Sequence, residues 1–455
     1  MPGSTTTADL KEMITGRRDA VFVWLCNFEA EGEWGAGYTG LPATRLSVTS
    51  RIVQRMEELG ALLADPEDYL LLSQPLDRDY RQYVEGIGFT LPQELSADRD
   101  DGASTSDAVL ATPRLLARLA DLAARGAYLM PMGCTAKEQK ISEVTGLRLA
   151  TPDPDVTEKV NSKIYSRRLT GELGLRTIPG FCCETTQQLH AALEALMAQY
   201  GQAIVKDAYG VSGKGLVMLD SEKKADRLLR MVDQRAARTG SHALDVVAER
   251  LVDKRFDMNY QFTIGRDGQV RFDFIKQALV RRGIHSGHIM PAELTIAQHD
   301  EIVTAAERIG QRLYADGFSG VVGVDSLLGT DGLIYPVVEI NARLNMSTFQ
   351  SRVAGRFQGP EGFALAKHYP LRLTAPLEFT AIRDALAPHI SQPARDDGAV
   401  ITCFGTVNAL AAQSAGSQGR LYTMLFAESR EELSRLDEAM TQKIPALDGG
   451  DHAGH

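Results

Sequence analysis

The sequence predicts two kinds of architecture in one chain: an open α/β unit, followed by α+β structure and a small C-terminal α/β unit. Three observations predict it. Strand-like runs alternate with helical patterns over the first third of the chain. Two glycine-bearing turns, Gly265-Arg266-Asp267-Gly268 and Thr330-Asp331-Gly332, interrupt long alternating runs and read as antiparallel hairpins. Two short strand runs and one capped helix close the chain. The expected units are residues 1–152, 153–368 and 369–455.

Residues 1–17 are polar. Ala20 to Phe28 is an aromatic and β-branched run, expected as a buried strand. Ile52, Met56, Leu59 and Leu62 recur at helical spacing, and Tyr69 to Gln74 reads as a second strand. Asp98 to Ala108 is a charged loop of small residues. Thr112 caps a helix with Pro113 at its first position, and Gly126 ends it. Ala127 to Gly133 is the third strand.

Prolines in Thr151 to Val160 mark the first boundary. Helices are expected over Glu158 to Gly174 and Thr185 to Gln199, and two strands over Ala203 to Leu219. The run "ALDVVAERLV" is a further strand, and an amphipathic helix separates the two hairpins. In the last unit "AVITCFG" and "GRLYTMLFA" read as strands, and Ser429 with Glu432 caps a helix.

A net charge of −10 argues against a partner bound through nucleic-acid phosphates. Five cysteines (Cys26, Cys134, Cys182, Cys183, Cys403) match neither a disulfide framework nor a zinc site, so a reduced cytoplasmic compartment is expected. Cys182 and Cys183 are expected in packing. No segment approaches the ~18 consecutive apolar residues of a membrane helix.

The stretch "AIVKDAYGVSGKGLVML" (Ala203 to Leu219) is not a Walker A loop. Its glycine spacing is wrong, Gly215 follows Lys214 where Ser or Thr is required, and a strand rather than a helix comes next. Strand, glycine-rich loop, strand is a hairpin that either folds its N–H groups over phosphates or is a plain turn. Further on, Glu339, Asn341 and Arg343 lie two apart on one strand, so they share a face. With Asp325 on the preceding strand they offer hard oxygen ligands suited to Mg²⁺ with a phosphate in its shell. A half-exposed strand gives the same alternation.

With these residues in hand, the sequence resembles the ATP-grasp superfamily of carboxylate–amine ligases, most closely natural-product peptide ligases of the pheganomycin type. The elements occur in the superfamily's order. The resemblance makes residues 1–152 a pre-ATP-grasp α/β domain, 153–368 the ATP-grasp domain with a lid at 207–215, and 369–455 a small C-terminal unit with a polar tail that includes His452 and His455.

It implies Lys163 (in "NSK") and Lys206 on the α- and β-phosphates, and Ser212, Gly213 and Gly215 in the lid. Lys214 becomes a lid residue of lesser weight. Glu249 precedes the adenine hinge, where the backbone of Arg250 and Val252 would pair with the base. Asp257 falls at the ribose position. Asp325, Glu339 and Asn341 match a two-magnesium set that Mn²⁺ could also occupy, and Arg343 matches the arginine of E-x-N-x-R. The hinge reads "AERL" rather than doubly acidic, and Ala342 stands where many members have proline.

The resemblance implies activation of an amino-acid or small-peptide carboxylate as an acyl phosphate, capture by an amine, and release of ADP and phosphate. Arg343 and Lys276 would act on the reacting groups. Lys276, Arg281, Arg282, His285 and His288 form either a carboxylate pocket or an exposed basic loop; His285-x-x-His288 is a poor metal pair. Glu29, Glu31 and Trp34 form either an amine pocket or a solvated loop. Partners are small molecules, without nucleic acid or membrane, and a homodimer is compatible. Other ATP-grasp chemistry (carboxyphosphate formation or phosphotransfer) and a silent ATP-binding protein are the alternatives. A phosphotransferase would leave a stable phosphorylated product, and intact Asp325, Glu339, Asn341 and Arg343 count against silence.

Overall fold

The computed structural model describes residues 6–42, 51–97, 103–210, 215–281, 284–390, 397–411, 417–444 and 447. Three sheets organise it. The first is wholly parallel: β1 (Phe22–Leu25), β2 (Tyr69–Leu72), β3 (Gln93–Ser96), β4 (Tyr128–Pro131) and β5 (Arg148–Leu149), in the order β3-β2-β1-β4-β5. Its central strands are almost entirely apolar because helices cover both faces. The order reverses at β1, so the carboxyl ends of β1 and β4 open the crevice where such sheets place ligands.

The second sheet is antiparallel: β6 (Gly180–Thr185), β7 (Ala203–Asp207), β8 (Leu216–Leu219) and β9 (Ala243–Arg250), in the order β6-β9-β7-β8. The helices Thr186–Tyr200 and Glu222–Thr239 cover one face. The first has the capping box that Thr185 and Gln188 encode. The second lay unread in the sequence, although Ala225, Leu228, Val232 and Ala236 carry its buried stripe.

The third sheet has eight antiparallel strands: β10 (Lys254–Ile264), β11 (Val270–Arg281), β12 (Ile284–Met290), β13 (Gly320–Gly329), β14 (Ile334–Asn341), β15 (Phe363–Leu373), β16 (Gly398–Cys403) and β17 (Ser417–Ala427). Their order is β14-β13-β10-β11-β12-β15-β17-β16. Both hairpins fall where the glycine turns placed them. Strand β15 crosses residue 368 and joins β12 to β17, so the C-terminal strands extend this same sheet. They also share a core with the N-terminal unit, as Tyr80 and Phe404 against Phe379 show.

The expected single helix over 158–174 is two helices, Pro154–Val160 and Lys163–Glu172. The break at Asn161-Ser162 lets the Lys163 N–H donate to the Ala208 carbonyl at the end of β7 (2.9 Å), tying this helix to the glycine loop's root. At Thr112 the helix begins as expected, but the hydroxyl donates to the Ala108 carbonyl instead of capping. Residues 35–41 leave the N-terminal unit and dock on the second sheet. Thr39 and Asp245 exchange N–H bonds to carboxylate and carbonyl (2.9 and 2.8 Å), and Leu41 is buried in that sheet's core.

Candidate functional site

The site is built on one row of the third sheet. Glu339 on β14 stands opposite Asp325 on β13, Asp325 opposite Asn259 on β10, and Asn259 opposite Lys276 on β11. Directly paired residues project to the same face, so four polar side chains form a line across four strands. Burial, and then the neighbouring Glu339, push the Asp325 carboxyl up to about 6. Asn259 Nδ2 donates to Asp325 Oδ1 (2.8 Å) and Asn341 Nδ2 lies 3.3 Å from Oδ2. Two adjacent carboxylates and a carboxamide of this kind fit a hard divalent cation.

The cations come from other elements. Lys163 opens its helix, which is held against β14 by the Ile340 N–H donating to Ser166 Oγ (3.0 Å). Its Nζ reaches Glu339 Oε1 (2.5 Å) and the Gly210 carbonyl (3.1 Å). Lys206, from β7, forms an ion pair with Glu249 Oε2 (2.6 Å). Glu249 Oε1 accepts from Arg167 (2.7 Å), one helical turn beyond Lys163. Lys163 thus reaches the carboxylates of the third sheet, while Lys206 is held on the second sheet by Glu249.

Around the hinge, Arg250 gives its N–H to the Pro179 carbonyl (2.8 Å) and lays its guanidinium on Tyr200 (5.1 Å). Its carbonyl, rather than its side chain, is what it can offer a base. Val252 packs with Ile178, Leu327, Tyr335 and Val338. Asp257 shares a face with Asn259 and Gln261 and pairs with Lys254 (2.5 Å). Gly215 has φ +78, and a Cβ there would lie 2.8 Å from Asp207 Oδ2. Ser212, Gly213, Lys214, Arg282 and the C-terminal histidines lie outside the described residues, as do the side chains of Arg281 and His285.

Arg343 projects just beyond β14. The Leu344 N–H donates to the Met132 carbonyl (3.3 Å) at the end of β4, which brings Arg343 to the crevice of the parallel sheet. There it forms an ion pair with Glu31, both side chains nine-tenths buried. Its Nη2 also donates to Asn341 Oδ1 (2.9 Å), while Nε is buried without a partner. Glu31 sits on the short helix Ala30–Trp34. Trp34 fixes that helix by donating to the Cys134 carbonyl (3.0 Å), and Gly133 admits it: a Cβ there would lie 2.9 Å from the Ala30 Cβ. Burial raises the Glu31 carboxyl, Arg343 opposes this, and Glu339 adds to it.

Lys276 is wholly buried, and burial alone pushes its ammonium well below the lysine range. Its Nζ donates to the Ser347 carbonyl (2.8 Å) and Gln350 Oε1 (3.2 Å) and lies 4.3 Å from the Phe274 ring centre. Ser347 Oγ in turn donates to Asn259 Oδ1 (2.8 Å). Lys276 thus meets the carboxylate row through Ser347 and Asn259. Asn259, Arg167 and Ser347 are the residues the sequence reading missed. "DMNYQF" carried the signal for the first, since Asp257, Asn259 and Gln261 alternate with apolar neighbours.

Comparison with known proteins bears on the family and the fold. A pre ATP-grasp domain model matches residues 56–147 and an ATP-grasp domain model matches residues 178–347, together more than half of the chain. The chain is 25% identical over 334 residues to [butirosin acyl-carrier protein]–L-glutamate ligase of Niallia circulans, covering 72% of this chain and 73% of that protein. Its fold matches Staphylococcus aureus N5-carboxyaminoimidazole synthetase complexed with ADP (TM-score 0.55, 13% identity, 93% and 97% of the two chains). It also matches the Campylobacter jejuni biotin carboxylase–β,γ-ATP complex (TM-score 0.54, 14% identity, 87% and 88%). Among the described residues, no helix is long and apolar enough to cross a membrane. With its parallel N-terminal sheet, its two antiparallel sheets and both domain matches, the chain belongs to the ATP-grasp superfamily.

Proposed function

We propose that this protein is an ATP-dependent carboxylate–amine ligase that joins an amino acid or small-peptide carboxylate to an amine through an acyl phosphate. One observation carries the reading: Lys163 pairs with Glu339, which stands opposite Asp325, and Arg343 reaches the same set through Asn341. That is a constellation for holding a polyphosphate, a divalent cation and a carboxylate together. The similarity to a glutamate ligase supports amide formation.

In this reading Lys163 and Lys206 bind the α- and β-phosphates, and the Arg250 carbonyl with the Val252 backbone holds the adenine. Asp257 takes the ribose hydroxyls, and Ser212, Gly213 and Gly215 cover the phosphates. Asp325, Glu339 and Asn341 would hold Mg²⁺, which when bound neutralises charge on the phosphates. The acid's carboxylate attacks the γ-phosphorus and ADP leaves. The amine then attacks the acyl carbonyl, phosphate departs and the amine's extra proton is lost. Arg343 stabilises the oxyanion with charge already in place. Lys276, through Ser347 and Asn259, positions Asp325.

The test is ADP release across paired acids and amines with mass detection of product. The expected result is an amide from at least one pair. A stable phosphate ester from a single compound, or ADP release that needs bicarbonate and yields no amide, would replace this reading with phosphotransfer or carboxyphosphate chemistry.

A further inference from the structure

The charges around Arg343 do not balance once substrates bind, and this points to the chemical class of the acid. In the structure Lys163 answers Glu339, and Arg343 answers Glu31. When a polyphosphate claims Lys163 and a substrate carboxylate claims Arg343, Glu31 is left without a cation. It cannot relax into water, because its side chain is nine-tenths buried in the crevice. A buried carboxylate stripped of its partner is costly. An ammonium carried by the ligand itself would restore that partner at the atom that lost it.

We propose that the Arg343–Glu31 pair is a recognition site for the zwitterion of a free α-amino acid, its carboxylate on Arg343 and its ammonium on Glu31. The ligand inserts into the ion pair and replaces one salt bridge by two. Because Arg343 and Glu31 touch, the charges they read must be close together, as on an α-carbon. The unpartnered Nε–H of Arg343 gives the guanidinium a donor that Glu31 and Asn341 do not use. Glu31 is firmly positioned, since its helix grows from the end of β1, and Trp34 and Gly133 fix its approach to β4. Acids lacking an ammonium are excluded by the charge they would strand, a selection by penalty rather than by added contact. The proposal names the acid of the ligase reading and rests on that reading for the chemistry after binding.

The experiment compares free amino acids with their des-amino counterparts, which are smaller and cannot be rejected for size. Calorimetric titration with Mg²⁺ and a non-hydrolysable ATP analogue present reads binding alone. Hydroxylamine trapping of the acyl phosphate reads activation. For the best free amino acid, binding is expected to be at least ~100-fold tighter than for its des-amino form. Glu31→Gln should shrink that ratio to below ~10-fold, and Glu31→Asp should restore most of it. Equal binding of both forms to the wild type, no binding of any free amino acid, or a ratio unchanged in Glu31→Gln would overturn the proposal. Selective binding without any hydroxamate would leave it standing and overturn the ligase reading instead.

Discussion

Lys163 Nζ lies 2.5 Å from Glu339 Oε1, so a cation suited to phosphate holds a carboxylate suited to metal. The pair keeps both groups in place, and in the proposed reading ATP with its ion would separate them. Glu339→Gln would remove a proposed metal ligand and leave the lysine a neutral partner. Loss of outer-shell partners at metal sites costs about 10–100-fold. The expected loss in kcat/KM here is therefore at least about 100-fold, partly recovered at high Mg²⁺. Full turnover at ordinary Mg²⁺ would remove Glu339 from the metal set.

Lys206 and Arg167 both lean on Glu249, which is buried. Removing the carboxylate strands two cations, whereas removing Lys206 leaves Glu249 its arginine. Glu249→Ala should therefore lower unfolding stability by about 3–5 kcal/mol, read by urea titration. Lys206→Met should cost less stability and raise the KM for ATP at least tenfold, with the KM for the acid unchanged. Equal stabilities in the two variants would mean that Arg167 does not share the load.

Much of this was legible. Hairpin turns, alternating polar strands and caps are local, so Glu339 and Asn341 could be placed on one face before any fold was known, whereas Arg343, read as the next residue of that face, lies in a bend past the end of β14. What could not be read depends on distant chain segments meeting. Glu31 looked like loop charge until Leu344 was seen bonded to Met132, which carries Arg343 across to the parallel sheet. Arg167 looked like an ordinary helix residue because its partner Glu249 is 82 positions away. Leu41 gave no sign that it leaves its own unit for another unit's core. The missed helix Glu222–Thr239 is a different case: its stripe is regular, and only its charged exposed face masked it.

The carboxyl of Glu29 is raised to about 7, first by burial and then by the nearby Glu57, although it accepts the Thr105 N–H (2.9 Å). Its other oxygen has no partner. A raised folded-state value means that the group favours folding below its unfolded value near 4.5, and that this contribution is lost as pH rises through 7. Glu29→Gln keeps an acceptor for Thr105 and never ionises. It should match wild type at pH 4.5 and exceed it by up to about 3 kcal/mol at pH 8. Urea unfolding at both values checks this, and a gap that does not widen with pH would place the Glu29 charge in water.

Gly323 sits between Asn341 and Gln261 in the sheet, the row next to the carboxylates. A Cβ there would lie 2.4 Å from Asn345 Nδ2. Asn345 caps the helix Met346–Phe357, its Oδ1 accepting the Ser347 N–H (3.0 Å), and Ser347 is the residue that joins Asn259 to Lys276. A methyl group at 323 therefore displaces the cap and loosens the support beneath Asp325. Loss of a cap costs about 0.5–2 kcal/mol, and a lost hydrogen bond about 1 more. Gly323→Ala should destabilise by about 1–3 kcal/mol and raise the Mg²⁺ concentration needed for half-maximal rate. The double variant with Asn345→Ala isolates the cause. With the side chain already shortened, the added methyl should cost well under half as much. An undiminished cost would mean that the strand itself, and not the cap of the next helix, is what requires glycine.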